Sequence, residues 1–129
     1  MKKVLAIILS LLLIFTLAGC GKYTSSYSAL ALVHSNDSDS ALLNFYTLNG
    51  RMVFKLNCPD EGTLKYKAKL ESGSVNVYYD ITGTKEELFT LSDGEEVESQ
   101  LEDIGSGKLY IIVETDGKAT NGDFHFSVE

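Results

Sequence analysis

Leu64-Lys65-Tyr66-Lys67-Ala68-Lys69-Leu70-Glu71 alternates apolar and charged residues without an error. In an extended chain successive side chains point to opposite faces, so this pattern predicts a strand with one apolar and one cationic face. A strand half-buried in this way belongs to an antiparallel sheet with one wet side. The three lysines then read as a solvated face that also discourages pairing at a sheet edge.

The same period of two extends in both directions. Upstream, Ala41 to Leu48 (ALLNFYTL) and Arg51 to Cys58 (RMVFKLNC) flank Asn49-Gly50, the strongest short hairpin signal, and Pro59-Asp60-Glu61-Gly62 turns the chain again. Downstream of Gly73, Val75, Val77, Tyr79 and Ile81 form the inward set, with Asn76, Tyr78 and Asp80 outward. Gly83-Thr84 turns the chain into Glu87 to Ser92, which Asp93-Gly94 closes. Glu95 to Ile104 fits two periods, with Val97, Leu101 and Ile104 at helical spacing and Val97, Ser99 and Leu101 at strand spacing. It is read as a strand because its neighbours are strands and short connections dominate such domains. Leu109, Ile111 and Val113 follow Gly105-Ser106-Gly107. The chain ends on Phe124, Phe126 and Val128 facing inward, with Asp123, His125 and Ser127 outward, after Asp116-Gly117 and Asn121-Gly122. About eight strands with turn signals at roughly 8–12-residue spacing predict an all-β fold, an antiparallel β-sandwich of jelly-roll type spanning 41–129.

The other end of the chain carries an address. Met1-Lys2-Lys3 is followed by an almost unbroken apolar run from Val4 to Leu17, about 14 residues long. That is short of the roughly 20 that cross a bilayer as a permanent helix and has the layout of a signal peptide. Leu17-Ala18-Gly19-Cys20 closes the run and resembles the lipobox of bacterial lipoproteins. The resemblance implies that Cys20 is acylated and that residues 1–19 are removed. The mature chain would then begin at the lipidated cysteine, extracytoplasmic and anchored to the cell membrane. Residues 20–40, rich in serine and ending in Asn36-Asp37-Ser38-Asp39-Ser40, read as a tether with a turn signal. The apolar Ala29 to Val33 leaves open a first strand within it.

Removing Lys2 and Lys3 leaves nine basic residues against 18 acidic ones and takes the formal charge from −7 to −9. So acidic a surface repels polyanions, which argues against nucleic acid as a partner and against direct adsorption to anionic lipid heads, leaving attachment to the lipid on Cys20. With Cys20 lipidated, Cys58 has no cysteine to pair with, and its place at the end of Met52, Phe54, Leu56, Cys58 reads as a small buried apolar residue. Gly107 to Glu114 followed by Gly122 to Phe126 is similar to the closing strand pair of small secreted bacterial sandwich domains, including peptidase accessory domains and some carbohydrate-binding modules. That likeness supports the fold and transfers no functional residue.

No catalytic constellation emerges. Gly105-Ser106-Gly107 lacks the spacing of a nucleophile elbow. His34 and His125 are the only histidines, too few for a zinc site, and a Cys58–His125 pair would need an inward thiol to meet an outward imidazole. Asp37-Ser38-Asp39 opens like a calcium loop, but Ala41 and Leu42 stand where an oxygen ligand and a glycine belong. Asp116, Asn121 and Asp123 form an acidic loop set that could hold a structural calcium, although loops of this composition are usually just turns. The reading is a non-enzyme without cofactor or metal. Two binding roles remain, for an envelope protein or for a glycan. The candidate ligand face is Tyr46, Tyr78, Asp80, Tyr110 and His125, with Asn44, all on outward parity, since rings flanked by amide and carboxylate groups stack and hydrogen-bond sugars. Tyrosine also favours strands for its own sake.

Overall fold

A computed structural model describes residues 23–129. The signal segment, the lipobox and Cys20 lie outside the described residues. Nine strands and no helix occur among the described residues: β1 (Ser26–Leu30), β2 (Val33–Asn36), β3 (Ser40–Cys58), β4 (Leu64–Ser72), β5 (Val75–Asp80), β6 (Glu86–Leu91), β7 (Glu96–Leu101), β8 (Gly107–Thr115) and β9 (Ala119–Val128). Every pairing is antiparallel, and the fold is all-β.

The organising element is β3, 19 residues long. Asn49-Gly50, read from sequence as a hairpin turn, lies inside it. Leu48 is opposite Ala29 on one edge and Ala119 on the other, while Arg51 is opposite Ser26 and Glu114. A strand has two edges, so β8 and β9 lie end to end along the edge of β3 that β1 does not occupy. The first half of β3 thus belongs to a layer with β9, β4 and β7, and the second half to a layer with β8, β5 and β6. The strand turns a corner between them, and the inward parity switches there. Ala41, Leu43, Phe45 and Thr47 are buried before it, Met52, Phe54, Leu56 and Cys58 after it.

Gly50 makes the corner possible. Its φ is +130°, and a Cβ there would overlap the Ser26 carbonyl and come within 2.7 Å of Tyr27 Cα. Asn121-Gly122, also read as part of a turn, likewise lies in a strand, β9. Gly122 is opposite Phe45, whose ring occupies the space a Cβ would fill. In both dipeptides the glycine answers a close approach rather than a hairpin.

The other boundaries follow the alternation. Glu96–Leu101 is a strand, as read. Ala29 to Val33 resolves into parts of β1 and β2, separated at Ala31, whose φ is +50°. Most of the described part of the serine-rich segment is therefore laid along β3, and Asp37-Ser38-Asp39 is a hairpin turn between β2 and β3. Along its second half, alternate amides of β3 are closed by the same segment. Val53 N–H donates to Ser25 Oγ at 2.9 Å, Lys55 N–H to Asn36 Oδ1 at 2.9 Å, and Asn57 N–H to the Ser38 carbonyl at 2.6 Å.

The two layers meet through aromatic rings. Phe89 of β6 stacks on Tyr66 of β4 at 5.2 Å between centroids and on Phe124 and Phe126 of β9 at 6.4 Å each. Phe45 stacks on Phe124 at 6.1 Å. These rings carry a large share of the apolar burial that holds the layers together.

Candidate functional site

The alternation in β4 aims Lys65, Lys67 and Lys69 away from the core, onto the outer face of the β3–β9–β4–β7 layer. Register then sets what they meet. Lys67 is opposite His125 of β9 and Glu98 of β7, and Lys69 is opposite Asp123 and Glu96. Beyond β9, His125 is opposite Leu42 and Asp123 opposite Asn44, and on β2 these face Ser35 and Val33. β4 is an interior strand, so its lysines do not guard an edge as the sequence suggested; they lie between two strands that bear acids.

His125 Nε2 and Asp123 Oδ1 are 3.0 Å apart, Lys67 Nζ and Glu98 Oε2 3.7 Å, and Lys65 pairs with Glu129. These side chains are well exposed, so each pair is worth about 0–1 kcal/mol. Their chemical value is in recognition, because fixed charges of both signs select a complementary surface. Two adjoining concavities, about 760 and 710 Å³, share Lys67, Glu98 and His125 in their walls.

Beside this charged field lies an apolar pair. Val33 and Tyr46 are 61% and 53% exposed, while Leu30, also exposed, is opposite inward-facing Thr47 and so lies on the other side of the strand. Val33 is opposite Asn44, two residues from Tyr46 on the same face, so the two are diagonal neighbours across strands. Leu30 and Val33 belong to the segment read as a tether. The signal available for them was the apolar run Ala29 to Val33 itself.

The candidate face is divided between the layers. Tyr46, Asn44 and His125 lie on the outer face just described. Tyr78, Asp80 and Tyr110 lie on the outer face of the other layer, where Tyr78 is opposite Ile112 and Asp80 opposite Tyr110. Asp80 is outward by parity yet 1% exposed. Its Oδ2 accepts the Tyr23 hydroxyl at 2.6 Å and its Oδ1 the Gly83 amide at 2.7 Å. Tyr23 covers it and meets Tyr110 edge-on at 5.3 Å. Burial and the bond to Asp80 push the Tyr23 hydroxyl up to about 12. The ammonium of Lys85 sits 4.3 Å above the Tyr78 ring and bridges to Glu114, which also pairs with Arg51 at 2.9 Å. Tyr23 and Lys85 were not among the sequence candidates, because their roles depend on strands distant in the chain.

Cys58 is buried, its thiol donating to the Gly105 carbonyl at 3.4 Å. Burial raises its pKa, against the opposing effect of the Gly62 amide. His125 is on the outer surface with Asp123, so thiol and imidazole do not meet. Asn121 donates to Glu71 and Asp123 faces His125, which separates two of the three residues considered for calcium. No group of three His, Cys, Asp or Glu side chains placed to hold a metal ion occurs among the described residues.

No family model matches the sequence, and no curated protein matches it. Among solved structures the chain is similar to Aeromonas hydrophila PliG, a periplasmic lysozyme inhibitor of g-type lysozyme. The identity is 20%, covering 71% of this chain and 88% of that one, with a TM-score of 0.51. It also matches TmCBM61, solved with beta-1,4-galactotriose, at 14% identity over 81% and 87% of the two chains, TM-score 0.49. A third match is the pre-peptidase C-terminal domain of a Bacillus anthracis collagenase, at 13% identity over 74% and 91%, TM-score 0.47. At such identity the first likeness speaks for the fold alone.

Proposed function

We propose that this chain is a non-catalytic, extracytoplasmic binding module, lipid-anchored through Cys20, that engages a protein of the cell envelope with the outer face of the β3–β9–β4–β7 layer. The carrying observation is the exposed apolar pair Val33 and Tyr46 beside the field of Lys67, Glu98, Asp123 and His125 on one outer face. An apolar patch bordered by ordered polar groups is the anatomy of a protein-recognition surface. The anchor is supported by Leu17-Ala18-Gly19-Cys20 after a basic start and an apolar run. A periplasmic lysozyme inhibitor is built on a similar fold, so the fold is compatible with recognition of a protein.

Glycan stacking finds less support. Tyr78 and Tyr110 are separated from Tyr46 by the thickness of the sandwich, and both rings are engaged, by Lys85 and by Tyr23. A photo-crosslinking side chain at position 33, in the full chain in a bacterial membrane, tests the reading. A discrete adduct with one envelope protein, lost on Tyr46→Ala or His125→Ala, is expected. No adduct, with a saturable thermal shift on envelope glycans instead, would replace a protein partner by a sugar. Metabolic labelling with a fatty-acid analogue, lost in Cys20→Ser, tests the anchor.

A further inference from the structure

The position of Tyr23 gives the anchored protein an orientation. Only Gly21 and Lys22 separate Cys20 from Tyr23. A trans chain spans at most about 3.3–3.6 Å per residue, so Tyr23 lies within roughly 10 Å of a lipidated Cys20. Tyr23 is not loose: its hydroxyl is bonded to buried Asp80 and its ring packs on Tyr110. Both partners sit on the outer face of the β8–β5–β6 layer. A long serine-rich tether would have allowed a reach of roughly 25 Å and any orientation. With β1 and β2 laid on β3, that slack is gone.

The charge on the two outer faces differs in the same sense. The face under Tyr23 carries Arg51, Lys55 and Lys108, with Lys85 lying across it. Of its acids, Asp80 is buried and hydrogen-bonded, Glu114 is paired with both Arg51 and Lys85, and Glu87 lies at the β6 edge. The opposite face presents Glu71, Glu96, Glu98 and Asp123 around its lysines. In a mature chain of charge −9, the face under Tyr23 is therefore the side suited to anionic headgroups.

We infer that the outer face of the β8–β5–β6 layer lies against the membrane, with Arg51, Lys55 and Lys108 at anionic lipid headgroups, so that the Val33–Tyr46–His125 face points away from the bilayer. The inference rests on the lipid-anchor reading above. Sheets pack about 10 Å apart, which lifts the recognition face clear of the headgroups and leaves it open to a partner. The headgroup contact weakens with salt, because the Debye length is only about 10 Å at 0.1 M.

The test uses the full lipidated chain in phosphatidylcholine vesicles with and without phosphatidylglycerol, carrying a headgroup-linked quencher. A fluorophore is placed on Lys108→Cys or, separately, on Lys69→Cys; buried Cys58 is controlled for with the unsubstituted chain. Stronger quenching at position 108 than at 69, enhanced by phosphatidylglycerol and reduced by salt, is expected. A long Gly/Ser insertion between Lys22 and Tyr23 should shrink that difference. Equal quenching at both positions in vesicle-bound protein overturns the orientation while leaving the anchor intact. A difference indifferent to the insertion removes the short tether as its cause and overturns the inference in this form. Recovery of unacylated protein in the aqueous phase overturns the anchor and the orientation together.

Discussion

The side-chain amide of Asn36 forms two hydrogen bonds with the backbone of Lys55, donating from Nδ2 to the Lys55 carbonyl at 2.9 Å and accepting from its N–H at 2.9 Å. This is the pattern a neighbouring strand would offer, supplied by the side chain of the last residue of β2, whose own backbone pairs only with the first half of β3. A bare strand edge invites pairing with another chain, and Asn36 occupies part of it.

Asn36→Ala should therefore lower stability by about 1 kcal/mol, the net worth of such bonds where water can replace them. Asn36→Asp keeps an acceptor for the amide but sets a carboxylate against the carbonyl, and should do no better. Urea midpoints measure both. An unchanged midpoint would mean that water serves this edge equally well.

Gly122→Ala should cost about 1–3 kcal/mol, because the new methyl group must displace the Phe45 ring from a packed core. Phe45→Leu, destabilising by itself, should recover part of the loss in the double variant. Strict additivity in that cycle would show that the two residues do not compete for the same space.

Phe89→Ala should cost about 3–5 kcal/mol, since it removes the ring on which Tyr66, Phe124 and Phe126 stack. Tyr46→Ala, at an exposed position, should fall within about 0.5 kcal/mol of the parent. A comparable loss in both variants would make Tyr46 part of the core rather than of the recognition face.

Tyr23 gives an alkaline signature. Its hydroxyl pKa is pushed up to about 12 in the folded protein, from the ordinary tyrosine value of 10.0. As pH rises from 10 the unfolded chain loses this proton while the folded chain keeps it, so stability is full below pH 10 and declines up to about 12. Tyr23→Phe should flatten that part of the stability profile, although it also forfeits the Asp80 bond at every pH. Tyr79, raised by burial and by its bond to Glu86, contributes in the same direction and remains in the variant.

Cys58 should react slowly with a maleimide in the folded protein and quickly in urea. Burial both blocks access and disfavours the thiolate, so native reactivity should appear at higher pH than for an exposed thiol. Rapid labelling of the folded chain at neutral pH would contradict this environment.

Much of the architecture is legible from alternation. The inward sets Leu64–Leu70, Val75–Val77 and Leu109–Val113 are correctly assigned because parity is local: it depends on the pleat of one strand, whatever pairs with it. Turn signals at Pro59–Gly62, Gly73, Gly83-Thr84 and Asp93-Gly94 also fall between strands. The two Asn-Gly pairs mislead for one reason. A dipeptide that permits a tight turn permits equally a corner or a close backbone approach, and the choice lies with distant chain. At Gly50 the deciding neighbours are Ser26 and Tyr27; at Gly122 it is Phe45.

The candidate site divides along the same line. Alternation alone places Tyr46, Tyr78, Tyr110 and His125 on outward parity, a property of each strand separately. Which outward face each residue occupies depends on the pairing of β3 with β9 in its first half and β8 in its second. Asp80 is on the outward parity too, yet it is buried by Tyr23, 57 residues earlier in the chain. Local chemistry dictates strands and their two sides. Pairing partners, shared edges and covering side chains come from contacts between distant segments, whose free energy is realised only when the whole sandwich closes.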